Sequence, residues 1–257
     1  MTGLPGTTEL VEFTRALADA SAQVIRGYFR SDYEVISKSD DSPVTKADRE
    51  AEEVMRSLIT ARFPEHGILG EECGHYQPEA DYQWVLDPID GTKAFVSHSY
   101  LFGTLIALLY QGRPILGVIH HPLMADFLIG IEGETFLNGK KVMMRSCERI
   151  EDAILLSSTM DLIRKHQNGD AFDGLSLRVA RHNNWGDCHG YYLLAVGGAD
   201  IMADPIMNPW DIMALIPIIE GAGGLITDWQ GNDAVAGRSI VAANRALHAD
   251  VIRALNP

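Results

Sequence analysis

The 257 residues exceed the usual size of one domain, and 46% hydrophobic with 22% charged residues is the composition of an ordinary globular protein, which excludes a disordered or fibrous chain. A formal net charge of -14 excludes a general nucleic-acid binder, because such proteins gather Lys and Arg against phosphates. Cys73, Cys147 and Cys188 are too scattered for a disulfide framework or a zinc cluster, and no apolar run is long enough to span a bilayer, so the expected setting is a reducing cytoplasm with neither nucleic acid nor membrane as partner.

Along the chain, the first predicted element is an amphipathic helix from Thr8 to about Arg30, on which Leu10, Phe13, Leu17, Ala20, Val24 and Tyr28 recur at spacings of three or four. The polar stretch SKSDDSP separates it from a second helix in VTKADREAEEVMRSLITARFP, with Thr45 as N-cap, Asp48 in the first turn and Pro64 as the stop. Short apolar runs follow: GILGEE, YQWVLDPID, FGTLIALLYQGRPILGVIHHP and DFLIGIEGETFLNGKKV. They are punctuated by Gln111-Gly112, Glu132-Gly133 and Asn138-Gly139, which predict hairpins and hence a largely antiparallel sheet covered by the two helices. Beyond about residue 150 the pattern changes. DAILLSS, ADIMADP, GLITDW and SIVAAN read as buried strands between helical stretches near HGYYLLAVGG, PWDIMALIPIIEGAG and ALHADVIRAL, with Pro217 kinking its helix or shifting its start. The expected organisation is an N-terminal α+β lobe over residues 1–150 and a C-terminal layered α/β lobe over residues 151–257.

Carboxylates crowd one part of this pattern. Glu71, Glu72, Asp87 and Asp90 surround an apolar strand, and burying charge is costly unless it is paired, hydrogen-bonded or holding a metal. In Asp87-Pro88-Ile89-Asp90-Gly91-Thr92, the turn residues Pro88 and Gly91 break the strand's alternation, so two aspartates three positions apart can converge on one cation. Gly91 and Thr92 can open a short helix whose free N–H groups face phosphate oxygens; the same hexapeptide also reads as an ordinary capped turn. The candidate ligands are all oxygens, which favours Mg2+ or Mn2+ over Zn2+. A zinc site at His120, His121 and His182 is disfavoured, because adjacent strand residues point to opposite faces.

Gly70-Glu71-Glu72, the hexapeptide Asp87 to Thr92, and Pro209-Trp210-Asp211 followed by EGAGG at Glu220 to Gly224 together resemble, in order and spacing, the inositol monophosphatase superfamily of Mg2+-dependent, lithium-sensitive phosphatases. The resemblance covers nearly the whole chain. It implies a five-layer αβαβα sandwich and a homodimer. It also implies that Glu71, Asp87, the Ile89 carbonyl, Asp90 and Asp211 bind two or three Mg2+ ions, supported from behind by Glu72. Thr92, oriented by Asp48, would position and help deprotonate the attacking water, and the Gly91 and Thr92 amides would hold phosphate. Lys38 matches a family lysine near the metals, and equally reads as a solvated surface lysine. The charge balance agrees with these roles: bare carboxylates would repel a phosphate dianion, whereas divalent cations cancel that repulsion.

Leu101-Phe102-Gly103-Thr104, Trp185 to Tyr191 and Ala203-Asp204-Pro205 resemble the histidinol-phosphate phosphatase branch more than the inositol branch. The implied reaction is hydrolysis of L-histidinol phosphate, a step of histidine biosynthesis, with Asp187 and Asp204 as acceptors for the substrate's ammonium and imidazole. Asp187 also reads as a helix N-cap, Asp204 as a strand end, His189 as a substrate contact or, by preference, a helix cap, and Tyr191 and Tyr192 as core. The alternatives are inositol-1-phosphate hydrolysis, removal of the 3′-phosphate from adenosine 3′,5′-bisphosphate, and a non-catalytic metal-binding scaffold.

Overall fold

The structure is a computed structural model that describes residues 6–31, 35–37 and 43–257. Helices α1 (Thr7–Tyr28) and α2 (Lys46–Arg62) form where the apolar spacing puts them. Between them lies a short antiparallel pair, β1 (Val35–Ser37) and β2 (Pro43–Thr45), which takes in only the two end residues of SKSDDSP; residues 38–42 lie outside the described residues. The proposed N-cap, Thr45, ends β2, and its side chain lies outside the described residues.

Eight strands form the first sheet, in the order β10-β9-β8-β7-β6-β5-β3-β4. They are β3 (Gly67–Gly70), β4 (Gly74–Tyr76), β5 (Tyr82–Asp90), β6 (Gly103–Tyr110), β7 (Arg113–His121), β8 (Asp126–Ile131), β9 (Glu134–Leu137) and β10 (Lys140–Lys141), with the short helix α3 (Thr92–Val96) between β5 and β6. Only β3 with β5 is parallel. The three hairpin dipeptides turn as expected. Gln111, Gly112, Glu132, Gly133, Asn138 and Gly139 all have φ between 48° and 80°, the double left-handed conformation that matches strand twist.

The second sheet runs β12-β11-β13-β15-β14. Its strands are β11 (Ile154–Ser157), β12 (Arg181–Asn183), β13 (Ile201–Asp204), β14 (Gly224–Thr227) and β15 (Ile240–Asn244). Strand β11 is parallel to both of its neighbours, and the remaining pairs are antiparallel. The helices of this half are α4 (Met160–His166), α5 (Gly169–Ser176), α6 (Asp187–Ala195), α7 (Pro209–Ile212), α8 (Leu215–Gly221) and α9 (His248–Leu255). Pro217 falls in the first turn of α8, where its missing N–H costs no intrahelical bond, so the apolar run is split into α7 and α8.

Packing gives five layers. Leu10, Leu17, Met55 and Ile59 of α1 and α2 cover Trp84, Leu86, Ile106 and Leu108 on one face of the first sheet. Its other face, through Val85, Leu105 and Ile119, meets Tyr191, Leu194, Ile212 and Ile218 of α6 to α8, which also cover Leu156, Met202 and Ala242 of the second sheet. Ile163, Phe172 and Val251 of α4, α5 and α9 close the far side against Leu155, Ile201 and Val241. The result is the layered αβαβα sandwich expected from the sequence. The central helices come unusually close to the first sheet: a Cβ on Gly117 would lie 2.0 Å from the Ala214 carbonyl oxygen, and one on Gly130 would lie 2.4 Å from Pro217 backbone atoms. Any side chain at those strand positions would push α7 and α8 outward, and Asp211 with them.

Candidate active site

Asp48, Glu52 and Arg56 follow one another at intervals of four along α2, so they share a face. Glu52 is fully buried. Its carboxylate accepts the backbone N–H of Glu72 at 2.8 Å and of Cys73 at 3.2 Å. Arg56 Nη1 donates to Glu52 Oε1 at 2.9 Å and to the Gly74 carbonyl at 3.0 Å. A Cβ on Gly70 would fall 1.9 Å from Glu52 Oε1, so the clamp requires glycine there. This arrangement fixes the turn after β3, with Glu71 lining the cleft and Glu72 set toward Arg49, whose Nε lies 3.8 Å from Glu72 Oε2.

Strand β5 delivers Asp87, only 2% exposed, and ends at Asp90. Ile89 between them is buried on the helix side, against Phe95 and Phe102. Gly91 has φ 88° and caps α3, and a Cβ there would lie 2.9 Å from the Leu101 carbonyl oxygen and 3.2 Å from Asp187 Oδ2. Thr92 opens the helix, and its hydroxyl donates to the Ile89 carbonyl at 3.0 Å. From the opposite side of the cleft, Asp211 sits in the first turn of α7, where its Oδ2 accepts the Asn208 N–H at 2.7 Å. Asp87, Asp90 and Asp211 each present an oxygen, all within 4.8 Å of one another. No other such group, and none that includes a histidine, forms among the described residues: His182 lies in the second sheet, hydrogen-bonded to Ser157 Oγ at 2.9 Å.

The electrostatics of this trio fit a divalent cation. Burial, followed by the charges of Glu71, Asp90, Asp211 and Asp48, pushes Asp87 well above the usual carboxylate range. Burial, with Asp187 and Asp211, does the same to Asp90, although the Cys188 N–H donates to its Oδ2. Burial lifts Asp211 to about 7 against the opposing Asn208 hydrogen bond. Asp87 Oδ1 is buried without any hydrogen-bond partner, a rare and costly state for a polar atom that a coordinated metal would relieve. The donors are hard oxygens gathered within 4.8 Å of one another, the donor type that suits Mg2+.

Two of the trio, Asp90 and Asp211, border a cleft of about 350 Å³ lined also by Glu71, Asp187, Asp204 and the cation Lys93, with Leu162, Ile206 and Met207 supplying apolar wall. Asp187 is the first residue of α6 and has φ 51°; Gly186 holds the N-cap position, so Asp187 does not cap the helix but lines the cleft. Burial raises its carboxyl, and Lys93 pulls it back. Asp204 closes β13 and accepts the Tyr191 hydroxyl at 2.9 Å, while burial sets it at about 6. Tyr191 is core, as expected. His189 corrects the expectation of a helix cap: it faces inward, with Nδ1 3.5 Å from His121 Nε2, and stacks on Tyr192. Lys38 lies outside the described residues. Sequence reading missed Glu52 and Lys93, although the four-residue spacing from Asp48 and the position next to Thr92 were visible signals.

The model of the inositol monophosphatase family matches residues 7–257. A bifunctional chloroplast phosphatase of Arabidopsis thaliana is 46% identical over 230 residues, covering 87% of this chain and 66% of its own length, so the chain spans just under two thirds of that relative. A histidinol-phosphatase of Chlorobaculum parvum is 36% identical over 242 residues, covering 93% of each chain. A solved inositol monophosphatase from Zymomonas mobilis superposes with a TM-score of 0.88 at 36% identity, over 99% of this chain and 100% of its own.

Proposed function

The chain belongs to the inositol monophosphatase family of phosphatases, and from that premise we propose that it is a Mg2+-dependent phosphomonoesterase that hydrolyses L-histidinol phosphate to L-histidinol and phosphate. The observation that carries the substrate reading is the placing of two further carboxylates, Asp187 and Asp204, in the same cleft as Asp90 and Asp211 of the acidic trio. A leaving group with an ammonium and an imidazole needs such acceptors, and its cationic charge would stabilise their ionised forms against burial. Leu162, Ile206 and Met207 offer apolar contact to the ring. The Chlorobaculum relative's name supports the same substrate.

In this reading Glu71, Asp87, the Ile89 carbonyl, Asp90 and Asp211 hold two or three Mg2+ ions, with Mn2+ a competent replacement, and Glu72 braces Glu71 from behind. Bound Mg2+ would neutralise the phosphate and acidify the attacking water. Thr92 donates its own proton to the Ile89 carbonyl, so the lone pairs of Oγ1 are free to orient that water; Asp48, whose charge bears on Asp87, would assist Thr92. The Gly91 and Thr92 amides, at the start of α3, would hold phosphate oxygens. Asp187 and Asp204 would orient the leaving group. We also propose a cytoplasmic homodimer, with lobes 1–150 and 151–257 meeting at the cleft.

The paired specificity constants decide. With Mg2+, kcat/KM for L-histidinol phosphate should exceed that for inositol 1-phosphate by about tenfold or more. EDTA and Asp90→Asn should abolish both activities, and Asp187→Asn should raise KM for histidinol phosphate while leaving inositol phosphate little changed. An advantage of about tenfold for inositol phosphate would overturn the substrate assignment.

A further inference from the structure

Asp87 and Asp90 are an odd number of residues apart on one strand, a separation that in regular pleating sends side chains to opposite faces. Both nevertheless present an oxygen to the same point, within 4.8 Å of each other and of Asp211. The ladder shows how: Asp87 opposes Leu105 and Asp90 opposes Gly103, so three steps on β5 match two on β6, and the extra residue is a β-bulge. Leu105 and Gly103 share one face of β6. The bulge therefore turns Asp90 back to the side of Asp87, while Ile89 stays on the helix side.

We propose that Thr104 is the positioning residue that holds this bulge and, through it, the spacing of the cation-binding carboxylates. Thr104 lies between Leu105 and Gly103 on β6 and faces α1 rather than the cleft. It is fully buried. Its hydroxyl donates to the Pro88 carbonyl at 2.8 Å, inside the bulge, and lies 3.5 Å from Ser21 Oγ on α1. The bulge takes the Pro88 carbonyl out of the regular β5–β6 register, so a side-chain donor fills the place of a strand-to-strand bond. Thr104 touches neither substrate nor metal in this arrangement; it sets where the backbone of Pro88 sits, and the flanking aspartates follow.

Thr104→Val keeps the side chain's shape and removes the donor, leaving the Pro88 carbonyl buried without it. The expected result is Mg2+ affinity, read by calorimetry, weaker by about tenfold, together with faster amide exchange at Asp90 and Gly91 in the metal-free protein. Thr104→Ser, which restores the hydroxyl, should recover both, and Ser21→Ala should shift both less. Thr104→Cys, which keeps one γ-atom but is a poor donor, replaces valine if that variant does not fold. Unchanged affinity and unchanged exchange would overturn the proposal; so would a lowered melting temperature with normal affinity and local exchange, which marks a merely structural role. The Mg2+ arm rests on the metal reading proposed above, whereas the exchange arm needs no metal, so a parent that fails to bind Mg2+ sinks that reading without deciding this one.

Discussion

At the scale of single residues, the site is defined by carboxylates that cost free energy until a cation arrives. Asp87 and Asp90 are pushed well above the usual range by burial and by one another's neighbours, and Asp211 is held at about 7. Between the ordinary aspartate range and about 7, the folded metal-free protein therefore binds more protons than the unfolded chain, so its stability falls as pH rises. Metal must displace those protons. The apparent Mg2+ affinity should rise from pH 6 to pH 8 with proton release, measurable by calorimetry in buffers of different ionisation enthalpy; a pH-independent affinity would contradict the assigned ligands. Reading the sequence found Asp87, Asp90 and Asp211 because each belongs to a compact motif. It mistook His189 for a cap because a histidine near a helix start has the same local signature whether it faces solvent or, as here, His121.

At the scale of elements, one helix positions a turn it does not belong to. Glu52 of α2 binds the amides of Glu72 and Cys73, is paired with Arg56 and leaves room only for glycine at Gly70. Glu52→Ala leaves Arg56, itself largely buried, without its carboxylate and the Glu72 and Cys73 amides without their acceptor, and should destabilise the fold by about 3 kcal/mol in denaturant titration, with weaker Mg2+ binding as Glu71 loses its support. Near-parental stability would show that the clamp is replaceable. The periodicity of α1 and α2 and the glycine hairpins were legible, since both rest on local backbone preferences. Helices α4 and α5 and strand β12 were not: each is eight residues or shorter, with at most three large apolar residues to set a period. The bulge at Pro88 was legible only as a broken alternation, because its consequence depends on which residue of β6 stands opposite.

At the scale of the molecule, the cleft exists because two sheets share one layer of helices. Glu71, Asp87 and Asp90 come from the first sheet and its turns, whereas Asp187, Asp204 and Asp211 come from the second half, and the common core of α6 to α8 fixes their separation. Ordered motifs in the sequence signalled this meeting through family resemblance, but nothing local encodes it: the distance between Asp90 and Asp211 is set by Gly117 and Gly130 admitting the central helices. The central claim is that Asp87, Asp90 and Asp211 converge on one cation. Anomalous diffraction from crystals soaked in Mn2+ tests it most directly: a peak at coordinating distance from an oxygen of all three carboxylates is the predicted result, and a cleft without manganese, or manganese bound elsewhere, would contradict the account.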